Sequence, residues 1–457
     1  MSIKRKRTAF SIIRTLFLAM TLASCGSSKV AAPALTDSVN DFTTKRLSNG
    51  IPVVFKQNRG SKIIVLRMIF EGGTSAIDET LGGLEDITLD MILRGSEKYP
   101  YETISQLQYE KSFSFTSSVG KDYSTLGFMC IQRDMSEVLE IFADCVNNPL
   151  MSESDFKQKM AETSAYIARQ NSDPSGALSL ALTKAAFAGH PYATTNRITA
   201  ETFPNMNFDL MNSHYQNLMN ALRVRIVVVG NLNTDLMSDF TSELEKKFGA
   251  LSKKQFAPPK IPKIPFGGGN VKVENEQAGD TGYIAGFFPC PDRNSDDYIP
   301  FAIATMYLDD LFFSNVREKA GAVYSINTGV IGGRELLGVI SLYKATEKRN
   351  LRKTILDTIA EFNATNLDRE INQYKNKYIT SIYSPSQTAS GMAASVVSGI
   401  EYYDNPGEYL LRIEKVRAAT SKQVIDAFKY YIEPIVKQNS IRWVIVDSAG
   451  NMNDYDF

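Results

Sequence analysis

Apolar and polar positions along the chain fall into runs whose order repeats. Lys62–Glu71, read as Lys-Ile-Ile-Val-Leu-Arg-Met-Ile-Phe-Glu, is dominated by β-branched and other apolar side chains and predicts a strand, as does Lys45–Gln57 before it. Helices are predicted over about Leu81–Leu93 and Tyr101–Glu110, and strands over Ser112–Ser118 and Tyr123–Ile131. Helical spacing returns near Ser136–Asn147 and Ser154–Gln170 and runs on to about Asn217. Arg223–Gly230 (Arg-Val-Arg-Ile-Val-Val-Val-Gly) reads as a buried strand, followed by a helix from Thr234. The second half repeats this order. Strands at Asn270–Glu276 and Thr281–Phe288 precede a helix over Tyr298–Leu311, then strands at Val323–Ile331 and Gly338–Tyr343. Helices near Leu351–Phe362 and Leu367–Ile382 continue to Tyr431, and Ser440–Val446 closes as a strand. Strands, helices and a closing strand, met twice about 200 residues apart, predict a duplicated α+β unit.

The break between the two units is compositional. Ser252–Pro265 carries four prolines among lysines and is closed by Gly267, Gly268 and Gly269, which suits an extended linker and no element interior. The expected organisation is residues 42–250, a linker over 251–269, and residues 270–457. The N-terminus reads differently. Lys4, Arg5, Lys6 and Arg7 precede an apolar run from Ile12 to Leu22, too short to span a bilayer as a mature helix. The run ends Leu22-Ala23-Ser24-Cys25-Gly26, which resembles a bacterial lipobox. Residues 1–24 are therefore expected to be a lipoprotein signal peptide, Cys25 the acylated residue, and 25–41 a spacer. The expectation is a chain held to the bacterial envelope by lipid and facing the periplasm. An ordinary signal peptide with a chance cysteine is the alternative.

Without residues 1–24 the chain has 45 basic against 50 acidic residues, which is no electrostatic footprint for nucleic acid. Beyond Cys25 stand Cys130, Cys145 and Cys290, with no Cys-x-x-Cys spacing; buried thiols are expected, a Cys130–Cys145 disulfide being the alternative. Only His190 and His214 could supply imidazole.

Residues 83–100 read Gly-Leu-Glu-Asp-Ile-Thr-Leu-Asp-Met-Ile-Leu-Arg-Gly-Ser-Glu-Lys-Tyr-Pro. This stretch resembles the zinc helix of the pitrilysin/insulinase metallopeptidases, roughly G-L-x-H-x-x-E-H-M-L-x-x-G-S/T-x-x-Y/F-P. The frame is kept in Gly83, Leu84, Met91, Ile92, Gly95, Ser96, Tyr99 and Pro100. The chemistry is not: Asp86 and Asp90 replace the two histidines, and Leu89 replaces the glutamate that activates water. Matching an Asn-x-x-Pro end further on puts Ala165 and Tyr166 at the third ligand's place, with Glu162 one turn away. From the residues themselves, Asp86 and Asp90 read as solvated acids at a helix start, with a hard-cation site as the alternative. His190-Pro191-Tyr192 matches a structural turn of the family, and His214 reads as an exposed helix residue.

A second resemblance lies in Asn315–Ser325, where Arg317 and Tyr324 flank Gly321. It is similar to the family's R-E-K/R-x-G-x-x-Y stretch, whose arginine and tyrosine hold substrate across a chamber. On spacing alone, Arg317 could equally pair with Glu318 or a nearby acid, leaving Tyr324 an ordinary sheet residue. The resemblance implies two homologous α/β-sandwich domains in tandem, each an antiparallel-rich sheet covered by helices. It also implies a non-catalytic subunit that binds no zinc itself and contributes Arg317 and Tyr324 to a homologous partner with an intact zinc motif. Short or unfolded peptides would be the substrate. A membrane-anchored structural or peptide-binding module is the competing reading.

Overall fold

β-Branched runs that are apolar on both sides become strands covered on both faces, and this governs the architecture. The computed structural model describes residues 41–438 and 440–457; the signal peptide, Cys25 and nearly all of the spacer lie outside the described residues. The first half holds β1 (Phe42–Arg46), β2 (Pro52–Gln57), β3 (Ile63–Glu71), β4 (Ser114–Val119), β5 (Tyr123–Ile131) and β6 (Val224–Gly230), in the order β1-β2-β6-β3-β5-β4. The second holds β7 (Val271–Glu274), β8 (Gly282–Pro289), β9 (Val323–Gly332), β10 (Leu336–Ala345) and β11 (Arg442–Asp447), in the order β7-β11-β8-β10-β9. Leaving out β1, the two orders are the same, down to the single parallel pair: β2 with β6, and β7 with β11. The duplication expected from the sequence is thus a duplication of topology. One strand expectation fails: Lys45–Gln57 is a hairpin of two strands, turned at Leu47–Gly50, where the Leu47 amide donates to the Ile51 carbonyl at 2.9 Å.

Helices of the first half are α1 (Leu84–Ile92), α2 (Tyr101–Lys111), α3 (Met135–Asn147), α4 (Glu153–Ser172), α5 (Pro174–Ala186), α6 (Phe208–Leu218) and α7 (Thr234–Phe248). Those of the second are α8 (Tyr298–Phe312), α9 (Leu351–Ala360), α10 (Ala364–Ser386), α11 (Ala389–Tyr403), α12 (Glu408–Ala418), α13 (Ser421–Ala427) and α14 (Glu433–Gln438). No helix among the described residues is long and apolar enough to cross a membrane. Asp173 ends α4 in an extended conformation and caps α5 through Ser175 and Gly176 amides, with Pro174 as the first helical residue. That break redirects α5 away from its own sheet.

Each sheet packs one face on helices of its own half and the other on a helix of the opposite half. Ile64, Leu66, Met68 and Phe70 of β3 face the first core with α1 and α3. The alternate residues Val65 and Ile69, with Val227 and Val229 of β6, meet Met392, Ala393, Val396 and Val397 of α11. Reciprocally, Ala285, Phe287, Val444 and Val446 of the second sheet pack with Leu178 and Ala186 of α5, and the linker's Ile261, Ile264 and Phe266 lie against that cluster. The proline-rich segment forms no helix or strand, yet it is docked.

Polar contacts fix the exchange. Tyr192 donates to Asp122 at 2.7 Å, and Asp122 accepts the backbone N–H of Arg334 in the β9–β10 turn at 2.8 Å. His190 is buried: its Nδ1 accepts from the Tyr192 amide, so its Nε2–H donates to the Pro262 carbonyl at 2.9 Å. It is scaffold, as its turn implied. Cys130, Cys145 and Cys290 are free thiols, and burial pushes Cys130 and Cys145 up to about 12. Arg225 of β6 binds Glu401 of α11 at 2.7 Å and Glu71 at 3.3 Å, and the Glu401 side chain is fully buried. Removing one partner of a buried pair strands the other charge. Arg225→Met should therefore cost about 3 kcal/mol in denaturant unfolding, and adding Glu401→Gln should recover most of it.

Candidate functional site

The retained frame around α1 is backbone engineering. Gly83 precedes the helix at φ 92° and bonds the Thr195 carbonyl at 3.0 Å. A Cβ there would lie 2.1 Å from the Ile198 amide nitrogen, so only glycine lets the helix start against segment 195–198. Downstream, buried Ser96 hydrogen-bonds Asp144 and accepts the Tyr99 amide at 3.0 Å, turning the chain into α2. These residues position a helix regardless of what chemistry it carries.

The altered positions have new surroundings. Leu89, where the family has its base, is fully buried in the first core. Asp90 is held by Lys159 at 2.6 Å. Asp86 lines a cavity of about 230 Å³ with Lys159, Glu162, Tyr166, Arg169 and Arg197. Burial raises its carboxyl above the ordinary value, with Asp90 adding to the rise and Arg197 and Lys159 opposing it. Tyr166 lies under the Arg197 guanidinium at 5.4 Å, and Glu162 binds Arg94 at 3.0 Å. The structure therefore brings Asp86 and Tyr166 to one cavity, with Asp90 beside it. These residues do not suit zinc: they offer no imidazole or thiolate, and an ammonium occupies Asp90. Among the described residues no group of three His, Cys, Asp or Glu is placed to hold a metal ion.

Two expectations are corrected. Asp86 and Asp90 were expected in solvent, but both are half-buried, and Glu85 beside them is 1 % exposed. His214 was expected exposed, but its side chain is 11 % exposed and its Nε2 meets Glu85 at 3.3 Å. Burial pushes the Glu85 carboxyl up, yet the hydrogen bond and charge of His214, with Ser124 and Arg223, bring it below its ordinary value. No spacing rule finds this pair, because α6 returns to α1 only in the folded chain.

In the second half, α8 continues into a π-helical turn, Phe313–Lys319, closed by Gly321 at φ 59°. The Ala320 amide bonds the Asn315 carbonyl five residues back at 3.1 Å. The turn ends where β9 begins, so Arg317 and Tyr324 come side by side, guanidinium to ring centre 5.7 Å. Arg317 also lies over Phe313 at 4.8 Å and has no ion-pair partner among the described residues, Glu318 included. Tyr324 is 68 % exposed. Lys344 approaches the same ring at 5.9 Å from a bulge in β10, at φ 54°. Sequence reasoning missed Lys344, since a bulge leaves no mark in the pattern of apolar positions.

Two family descriptions match the chain: insulinase (peptidase family M16) over residues 53–199, and peptidase M16 inactive domain over residues 205–378. The chain belongs to the insulinase family. It is 18 % identical over 185 residues to a non-peptidase homolog, YmxG, of Helicobacter pylori (strain ATCC 700392 / 26695), covering 40 % of this chain and 43 % of that protein. The match thus spans less than half the length of that curated relative. The fold is similar to a peptidase M16 inactive domain from Pseudomonas fluorescens, with TM-score 0.77, 21 % identity, and 89 % and 98 % of the two chains covered. It is also similar to a protease from Helicobacter pylori, with TM-score 0.77, 14 % identity, and 89 % and 99 % covered. Within the insulinase family this is a non-catalytic member, a pseudo-peptidase: leucine and two aspartates stand where hydrolysis needs a base and imidazoles.

Three outcomes test this geometry. Gly83→Ala should lose at least ~2 kcal/mol of unfolding free energy, from left-handed strain and the clash with Ile198. The purified chain, dialysed against zinc, should retain far less than one equivalent by mass spectrometry of metals. Asp309 of α8 supplies a pH test. Burial pushes it up to about 6, although its carboxylate accepts the Thr328 amide of β9 at 2.6 Å. With its folded value above its unfolded one, the group favours the fold at low pH, and that contribution is lost as pH rises through about 6. Asp309→Asn should accordingly stabilise at pH 7 and change little at pH 4, read as denaturation midpoints.

Proposed function

We propose that this chain is the non-catalytic subunit of a heterodimeric zinc metallopeptidase, lending Arg317 and Tyr324 to a homologous partner that carries the zinc. One observation carries the reading: Arg317 and Tyr324 stand together at a π-helical turn, the tyrosine exposed and the arginine without an acid among the described residues. A guanidinium and a phenol are both hydrogen-bond donors. Aimed at a scissile carbonyl, each would stabilise developing negative charge by about 3 kcal/mol. Lys344 adds positive potential beside them. The substrate class is short or unfolded peptide, because pairing of an extended backbone to a sheet edge tolerates many sequences.

The lipobox-like Leu22–Cys25 supports tethering by Cys25 to the bacterial envelope, with the folded part facing the periplasm. The competing role, a membrane-anchored peptide-binding or assembly module, uses the same exposed pair without turnover.

Co-expression with the homologous partner and kinetics on an unfolded peptide decide between them. The chain by itself should be inactive. The pair should hydrolyse peptide, and Arg317→Ala or Tyr324→Phe should each lower kcat/KM ten-fold or more with thermal midpoints unchanged. Equal turnover in wild type and both variants would remove Arg317 and Tyr324 from the mechanism, and no turnover by the pair would leave the binding-module reading.

A further inference from the structure

A second polar cavity, of about 290 Å³, lies in the second half. Three segments converge on it: the β8–α8 loop with Arg293 and Ser295, the end of α11 with Tyr403, and α12 with Arg412 and Lys415. The first turn of α8 (Tyr298, Ile299, Pro300) forms its wall, and Asp297 does not cap that helix through its side chain, being engaged by the Tyr431 hydroxyl at 3.0 Å. The helix end therefore adds positive potential to the cavity.

The charges are arranged for an anion. Arg293 donates Nε–H to the Gly333 carbonyl at 2.9 Å and stacks over the Tyr402 ring at 4.5 Å, which fixes its plane. Arg412 lies over the Tyr403 ring at 4.9 Å. Neither guanidinium has an ion-pair partner among the described residues, whereas the acid Glu408 is committed to Lys415 at 2.9 Å. Asp296 stands exposed at the mouth. The Tyr403 and Ser295 hydroxyl oxygens are buried, and among the described residues no acceptor takes their protons. Tyr403 faces Arg293, which can only donate, so its own proton has no acceptor. Buried hydroxyls without acceptors cost free energy unless something fills the space between them.

We infer that this cavity binds a small organic oxyanion, held by Arg293 and Arg412 and by the Tyr403 and Ser295 hydroxyls. The head group is a carboxylate or a phosphate, and the apolar remainder of the ligand lies along Ile299, Pro300 and Ala419.

Titration calorimetry on the purified chain at fixed ionic strength tests it, with inorganic phosphate and acetyl-alanine as separate probes against a chloride background. Saturable binding of one probe is expected, and which one binds distinguishes phosphate from carboxylate. Arg412→Gln, on a half-buried side chain with no ion pair among the described residues, should weaken that binding ten-fold or more with the circular dichroism spectrum unchanged. No saturable heat from either probe, or equal affinity in Arg412→Gln, overturns the proposal.

Discussion

The exchange of helices between halves is the constraint on which the remainder rests. α5 lies on the sheet of the second half, and α11 lies on the sheet of the first. The central strands of both sheets are apolar on two faces, such as Ile64–Phe70 in the first and Ile284–Phe288 in the second, and a strand of that kind cannot leave either face in water. The buried pairs at the junction, Arg225 with Glu401 and Tyr192 with Asp122, then set the register of one half on the other. The placement of α1 and of the Arg317 turn within one body follows from that register.

Conservation of frame and loss of chemistry have separate physical causes. Gly83, Ser96 and Tyr99 are demanded by backbone approach and hydrogen bonding, which act whether or not a metal is held. The family's histidines and glutamate at positions 86, 89 and 90 answer to a metal, whereas the residues this chain has there answer to their local environment. Leucine suits a fully buried position, and aspartate suits a helix face that meets Lys159 and Arg197.

Element order, the repeated topology and the Arg317–Gly321–Tyr324 turn were legible in the sequence, because periodicity and a fixed spacing encode them locally. What escaped is long-range. The stretch Ala177–Ala186 reads as an ordinary helix, and nothing in its residues says that it covers the other half's sheet. Lys159 and Arg197 come to Asp86 from distant segments, and His214 comes to Glu85 from α6. The hairpin at Lys45–Gln57 is different: Asn49-Gly50 is a strong turn pair, and the segment reads as one strand only when the apolar residues on either side are given more weight than that pair. Lys344 was hidden by a bulge.

Leu89 has a consequence for any attempt to install zinc chemistry in this chain. Its side chain is sealed among apolar neighbours, so placing the family's glutamate there by itself would bury an acid at a cost of several kcal/mol. Imidazoles at positions 86 and 90 would in addition have to displace the ion pair of Asp90 with Lys159. A single substitution therefore gains nothing here, and the site can be rebuilt only as a set.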